Sequence, residues 1–234
     1  MKYKRILLKI SGEVLQGQKS FGIENEAVTR IVKELVDLHT KGLEIGIVIG
    51  GGNFFRGASS AIEGIRRPEA DAIGMLATVQ NAIILHEKLR EYHVLSKIFT
   101  ARPVDSIGSC FSSESAQAAL RAGKVGLYAG GTGNPYFTTD TAAVLRALEI
   151  EADILLKGTK VDGVYDRDPV EFPDATLFDN ISYADYIELN LKIMDLTAIS
   201  LAKNNNLKIK VFNIKELGNI SKAVFEDNFG SIIE

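Results

Sequence analysis

Arg5-Ile6-Leu7-Leu8-Lys9-Ile10 and Leu43-Glu44-Ile45-Gly46-Ile47-Val48-Ile49 are short apolar runs rich in β-branched residues, and the segment between them changes period. Ala27, Val28, Ile31, Val32, Leu35, Val36 and Leu38 fall on one helical face, with Gly42 as a natural stop. Strand, helix, strand reads as a βαβ unit, whose two strands are parallel.

The alternation continues outward from that unit. Further strands are predicted at Val94–Thr100, Val125–Ala129, Asp153–Lys157 and Lys208–Phe212. A long helix is predicted from Glu69 to about Glu91, with Ile73, Leu76, Val79, Ile83 and Leu89 on its packed face. Shorter helices are predicted over Ser115–Arg121, Asp140–Ile150, Met194–Asn204 and Ile220–Glu226. This is the pattern of an α/β protein with a largely parallel sheet. The stretch from Val161 to Asp179 holds two of the five prolines and reads as a long surface excursion.

Composition removes several function classes. The chain has 234 residues, 46% apolar and 24% charged, which fits a folded globular protein. A formal charge of −3 without a long basic run disfavours polynucleotide or anionic-lipid binding. One cysteine excludes an internal disulfide and a cysteine-built metal site, and the three histidines lack metal-ligand spacing. After the basic start Met1–Arg5, Lys9 interrupts the apolar run within three residues, too few for a secretory signal, so a cytoplasmic protein is expected.

Four predicted strands run into small residues: Ser11-Gly12, Gly50-Gly51-Gly52-Asn53, Gly130-Gly131-Thr132-Gly133-Asn134 and Gly158-Thr159. In a parallel sheet these loops gather along one edge, where open α/β sheets bind ligands. Backbone N–H groups without a neighbouring Cβ suit a phosphate-rich ligand. Gly12 to Ser20 is one residue longer than the P-loop spacing, and no Gly-x-Gly-x-x-Gly opens a helix after the first strand. The cradle is therefore of another kind.

Lys9 and Lys157 close their strands beside such loops. Each either snorkels to water or meets an anion, and two of them favour a cationic clamp on a transferring phosphoryl group. Asp140 and Asp195 open helices, where a carboxylate serves either as a cap or to orient those lysines or hold Mg²⁺.

Leu8-Lys9-Ile10-Ser11-Gly12-Glu13, Val48 through Gly57, Gly74-Met75-Leu76-Ala77-Thr78, Gly131 through Asp140, and Lys160-Val161-Asp162-Gly163-Val164-Tyr165 resemble the bacterial uridylate (UMP) kinases of the amino acid kinase family. Lys192-Ile193-Met194-Asp195 and Val211-Phe212-Asn213 extend the resemblance over essentially the whole chain, which implies a single domain over residues 1–234. It implies a three-layer αβα sandwich with a mostly parallel sheet of about eight strands, a homohexamer, and Mg-ATP and UMP along one sheet edge. By the same resemblance Lys9, Ile10, Ser11, Gly12, Gly52, Arg56 and Lys157 would hold the ATP phosphates, with Thr159, Tyr165 and Asp168 facing the rest of ATP. Gly51 would lie under the UMP phosphate, Asp71 would meet the ribose, and Thr132, Gly133, Asn134, Pro135, Tyr136, Phe137, Thr138 and Thr139 would wrap UMP. Lys9, Arg56, Asp140 and Asp195 form the expected catalytic set.

Overall fold

The computed structural model describes residues 2–55 and 64–234. In chain order its elements are β1 (Arg5–Ile10), α1 (Gly12–Gln16), α2 (Asn25–Thr40), β2 (Glu44–Ile49), α3 (Arg67–Glu91), β3 (Ser96–Thr100), β4 (Ser109–Cys110), α4 (Ser113–Arg121) and β5 (Val125–Ala129). They continue with α5 (Thr139–Glu149), β6 (Ile154–Thr159), β7 (Val164–Tyr165), β8 (Leu177–Phe178), β9 (Asn180–Ile181), α6 (Tyr183–Glu188), α7 (Leu196–Asn204), β10 (Ile209–Asn213), α8 (Asn219–Phe225) and β11 (Ser231–Ile233).

Nine strands form one sheet in the order β4-β3-β5-β2-β1-β6-β10-β11-β9. Every neighbouring pair is parallel except β10 and β11. The predicted α/β class and parallel sheet hold. The strand count exceeds the expected eight because two-residue edge strands, too short for a period, complete both margins.

Alternation along the strands sorts the core into two layers. Ile6, Leu8 and Ile10 of β1 and Ile154 and Leu156 of β6 pack with the buried faces of α2, α3 and α8. Leu7 and Leu155 pack on the opposite side with α4, α5, α6 and α7. Lys9 and Lys157 therefore share the α5 side of the sheet, and they are direct partners in the β1–β6 register. The βαβ reading of the first fifty residues is correct, down to the positive φ of Gly42 after α2.

Four expectations need correction. Gly158 and Thr159, read as a loop after a strand closed by Lys157, continue β6 and pair with β1 and β10. Gly12, read as part of a loop, opens the short helix α1. Val161 to Asp179 is not wholly irregular, since β7 and β8 pair antiparallel within it. The packed face of α3 is only partly the predicted one: Val79 and Leu89 are buried and Ile83 packs against the core as expected, but Ile73 and Leu76 are exposed, whereas Ala70, Ala77, Thr78, Asn81, Ala82 and Leu85 are buried. Small residues dominate that face because α3 lies close against the loop after β2. A Cβ on Gly51 would come within 2.7 Å of the Gly74 carbonyl and 2.8 Å of Ala77 Cβ.

Candidate active site

The strand ends bring the predicted residues together around a charged centre. Lys9 Nζ lies 2.7 Å from Asp140 Oδ1, and Lys157 Nζ binds Asp140 Oδ2. Both ammoniums are buried, so neither lysine snorkels. Asp140 reaches them from the first turn of α5, whose N-cap Thr138 accepts the Asp140 and Thr141 N–H groups.

Two cations on one carboxylate leave a buried excess of one positive charge. Burial alone would raise the Asp140 pKa, but the Lys9 and Lys157 ammoniums beside it hold it down at about 2. Burial pulls Lys157 down to about 8; Asp140 opposes that shift and the Lys9 charge adds to it. Such a centre attracts a polyanion.

Asp195 plays a different part from Asp140. It caps α7 through the Ala198 N–H at 3.0 Å, and accepts hydrogen bonds from Thr141 Oγ1 at 3.0 Å and from Thr138 Oγ1. It thus locks the start of α5, and with it Asp140, while its charge reaches Lys157 from a distance.

The glycine turns meet beside this centre. A side chain on Gly12 would strike Asn53 Oδ1 and come within 2.8 Å of the Gly50 carbonyl and 2.9 Å of the Gly52 nitrogen. Only glycine allows the turns after β1 and β2 to touch in this way. Ser11 precedes Gly12 as the residue before α1, and Ile10 ends β1. Arg56 lies outside the described residues.

A cleft of about 160 Å³ opens on one side, lined by Gly51, Asp71, Thr132, Asn134 and Phe137 to Thr139 among others. Gly133, Pro135 and Tyr136 complete the loop without lining it. Tyr136 holds φ +71, and its N–H donates to Asp71 Oδ2 at 2.7 Å. Arg67 Nε lies 2.9 Å from both Asp71 oxygens, with its guanidinium 5.7 Å from the Tyr136 ring centre. On the other side a cavity of about 580 Å³, a size typical of small-ligand pockets, is lined by Tyr165, Asp168, Phe172 and residues 189–193. Thr159 does not line it, and instead its Oγ1 donates at 2.7 Å to the carbonyl of Val161, which does.

Sequence reasoning placed Asp71 at the site but missed what Thr78 and Asn81 do on the same stripe of α3. Asp71, Gly74, Thr78 and Asn81 recur at helical spacing. Thr78 Oγ1 accepts the Gly130 N–H at 2.7 Å, and Asn81 binds the Gly50 carbonyl at 2.7 Å. Polar or small residues at i, i+3, i+7 and i+10 along one side of the helix were the available signal.

The comparisons with known proteins agree with this geometry. The sequence profile of the amino acid kinase family matches residues 4–213. Uridylate kinase of Yersinia pestis (strain Pestoides F) is 47% identical over 231 residues, 99% of this chain and 96% of the relative. UMP kinase from Bacillus anthracis superposes with a TM-score of 0.95 at 33% identity, covering 99% of this chain and 96% of the other. UMP kinase from Ureaplasma parvum gives 0.93 at 33% identity with both chains fully covered. The chain belongs to the amino acid kinase family, and within it to the uridylate kinases, so it is a phosphotransferase.

Proposed function

We propose that this chain transfers the γ-phosphoryl group of Mg-ATP to UMP, giving UDP and ADP for pyrimidine nucleotide synthesis in the cytoplasm. The observation that carries the reading is the Lys9–Asp140–Lys157 centre, a buried net positive charge near the carboxyl ends of β1 and β6. Among the described residues no helix is long and apolar enough to cross a membrane. The homohexamer part of the reading rests on the family resemblance, and exposed Ile73 and Leu76 on α3 offer apolar surface to a neighbouring copy.

Ile10, Ser11, Gly12 and Gly52 cradle the donor phosphates, and Thr159, Tyr165 and Asp168 receive the rest of ATP. Gly51 underlies the acceptor phosphate, Asp71 meets the ribose, and Thr132 to Thr139 enclose the nucleoside. The acceptor is a phosphate oxygen ionised at neutral pH, so no general base is needed. Catalysis then rests on alignment and on charge neutralisation by Lys9 and Lys157, with Asp140 holding both in place. Among the described residues no group of three or more His, Cys, Asp or Glu could hold a metal ion, and Asp140 is engaged by lysines. Mg²⁺ would come with ATP and supply further neutralising charge at the transferring group.

ADP release measured across UMP, CMP, dUMP, acetylglutamate and aspartate tests the reading. UMP should be preferred. Turnover of a carboxylate in its place would make the chain a carboxylate kinase, and binding of ATP and UMP without UDP would make it a sensor.

Two further outcomes are expected here. Asn134 is exposed, and its side-chain nitrogen reaches only the Thr132 carbonyl at 3.5 Å. Asn134→Ala should keep stability within about 0.5 kcal/mol, as a surface change does, while raising KM for UMP and sparing KM for ATP. A lower melting temperature with unchanged KM for UMP would reduce the segment to a tight turn. The second outcome concerns pH. Lys157, with its pKa lowered to about 8, loses its charge as pH rises, so kcat/KM for ATP should decline above about pH 8. The sign for stability is opposite, because the penalty for burying this cation is full below pH 8 and fades as pH rises toward the ordinary lysine value. Lys157→Arg, which keeps its proton, should abolish that alkaline decline.

A further inference from the structure

We propose that Asn81 is a positioning residue that holds the donor and acceptor cradles in register for phosphoryl transfer, although it lines neither cleft. The inference rests on the reading of those turns as phosphate sites. Asn81 is fully buried in the middle of α3, where an unpaired amide is costly. Its Nδ2 donates to the Gly50 carbonyl at 2.7 Å and to Asn53 Oδ1 at 2.8 Å. Asn53 Nδ2 returns a hydrogen bond to Asn81 Oδ1 at 3.0 Å and donates to the Gly22 carbonyl at 3.0 Å.

All four amide N–H donors of the pair are used, and each carbonyl oxygen accepts, so the network specifies one arrangement. Three turns converge on it. Gly50 N–H donates to the Ile10 carbonyl at 2.8 Å, tying the end of β1 to the end of β2. Gly12, the first residue of α1 just after β1, lies directly against Asn53 Oδ1 and the backbone of Gly50 and Gly52. Gly22 N–H donates to the Asn53 carbonyl at 2.9 Å. The turn assigned to ATP and the turn that carries Gly51 under UMP are thus spaced by one amide pair anchored on α3. An in-line transfer is sensitive to that spacing, since a displacement of about 1 Å can cost 10²-fold in rate.

The test compares wild type with Asn81→Leu and Asn81→Asp in kcat, in KM for ATP and UMP, and in UDP formed per ADP released. In folded variants kcat should fall by about 10-fold to 10²-fold, with each KM within about threefold of wild type. ADP should also outrun UDP, as water takes the γ-phosphoryl group that a misplaced acceptor no longer receives, yielding inorganic phosphate. A merely structural asparagine would lower the melting temperature and leave kcat and the UDP-to-ADP ratio unchanged, which overturns the proposal. Raised KM values with kcat retained overturn it too, because the amide would then shape each cradle separately. Asn81→Ser, which leaves room for a water, is judged by the same criteria if the larger variants do not fold. Failure of the wild type to make UDP from ATP and UMP is a separate result that removes the functional reading itself.

Discussion

Asp140→Asn is expected to destabilise the fold by about 3 kcal/mol and to remove most of the turnover. Lys9 and Lys157 are paired in register on adjacent parallel strands, and the Asp140 carboxylate joins both ammoniums. An amide of the same shape keeps the packing but leaves two like charges together with no anion. Breaking a buried ion pair from one side costs roughly 3–5 kcal/mol, and the 13% exposure of the Asp140 side chain places the estimate at the lower end. The loss follows a definite pH course. A carboxyl held at about 2 contributes stability that is complete above its unfolded pKa and disappears as pH falls through about 2, so the variant should lack that part of the acid sensitivity. Urea titrations of both proteins at pH 7 and in acid measure this. Equal stability at pH 7 would mean that the lysines do not depend on Asp140.

The centre was legible in the sequence for a simple reason. Lys9 and Lys157 each interrupt an apolar strand near its carboxyl end, close in sequence to Gly12 and Gly158, and parallel strands bring those ends to one edge. The residue between them was only half legible. Asp140 and Asp195 both open helices, and the structure alone separates them: the Asp140 side chain turns to the lysines, while Asp195 caps its own helix and steadies the next.

The first half of the α3 face was misread because apolar periodicity favoured Ile73 and Leu76, whereas the helix there meets glycine turns that admit only small or hydrogen-bonding neighbours. Its contacts join residues 28 to 65 positions apart, beyond any local pattern. Glu34 is a similar case, a buried acid on the apolar face of α2 whose carboxylate accepts the Ile220 N–H at 2.9 Å, at the start of α8. There Gly218 offers no capping side chain. By contrast α6 could have been found, since Ser182 and Asp185 stand at capping-box spacing and Ser182 accepts the Asp185 N–H. Strands β9 and β11 have no such signal, because each is three residues or fewer and is defined by its partners, β11 by β10 and β9 by β11.

Lys9→Met is expected to separate activity from stability in the opposite sense to Asp140→Asn. Methionine keeps the length and the apolar stem and removes the ammonium, so one of two like charges in a buried space is gone while Asp140 retains Lys157. The fold should lose little, and it can gain, since Lys9 is one of the charges that pull the Lys157 pKa down. With that repulsion removed, the alkaline decline assigned to Lys157 should move to higher pH. Turnover should fall regardless, by about 10²-fold or more in kcat, the scale of losing one preorganised group that meets charge developing in the transition state. A site that is more stable without its second cation than with it is storing electrostatic strain for a ligand. The deciding measurement is kcat and melting temperature on the same preparation. Near-normal turnover in folded Lys9→Met would show that Lys157 alone carries the charge neutralisation, and a large stability loss would show that Lys9 serves the core rather than the phosphates.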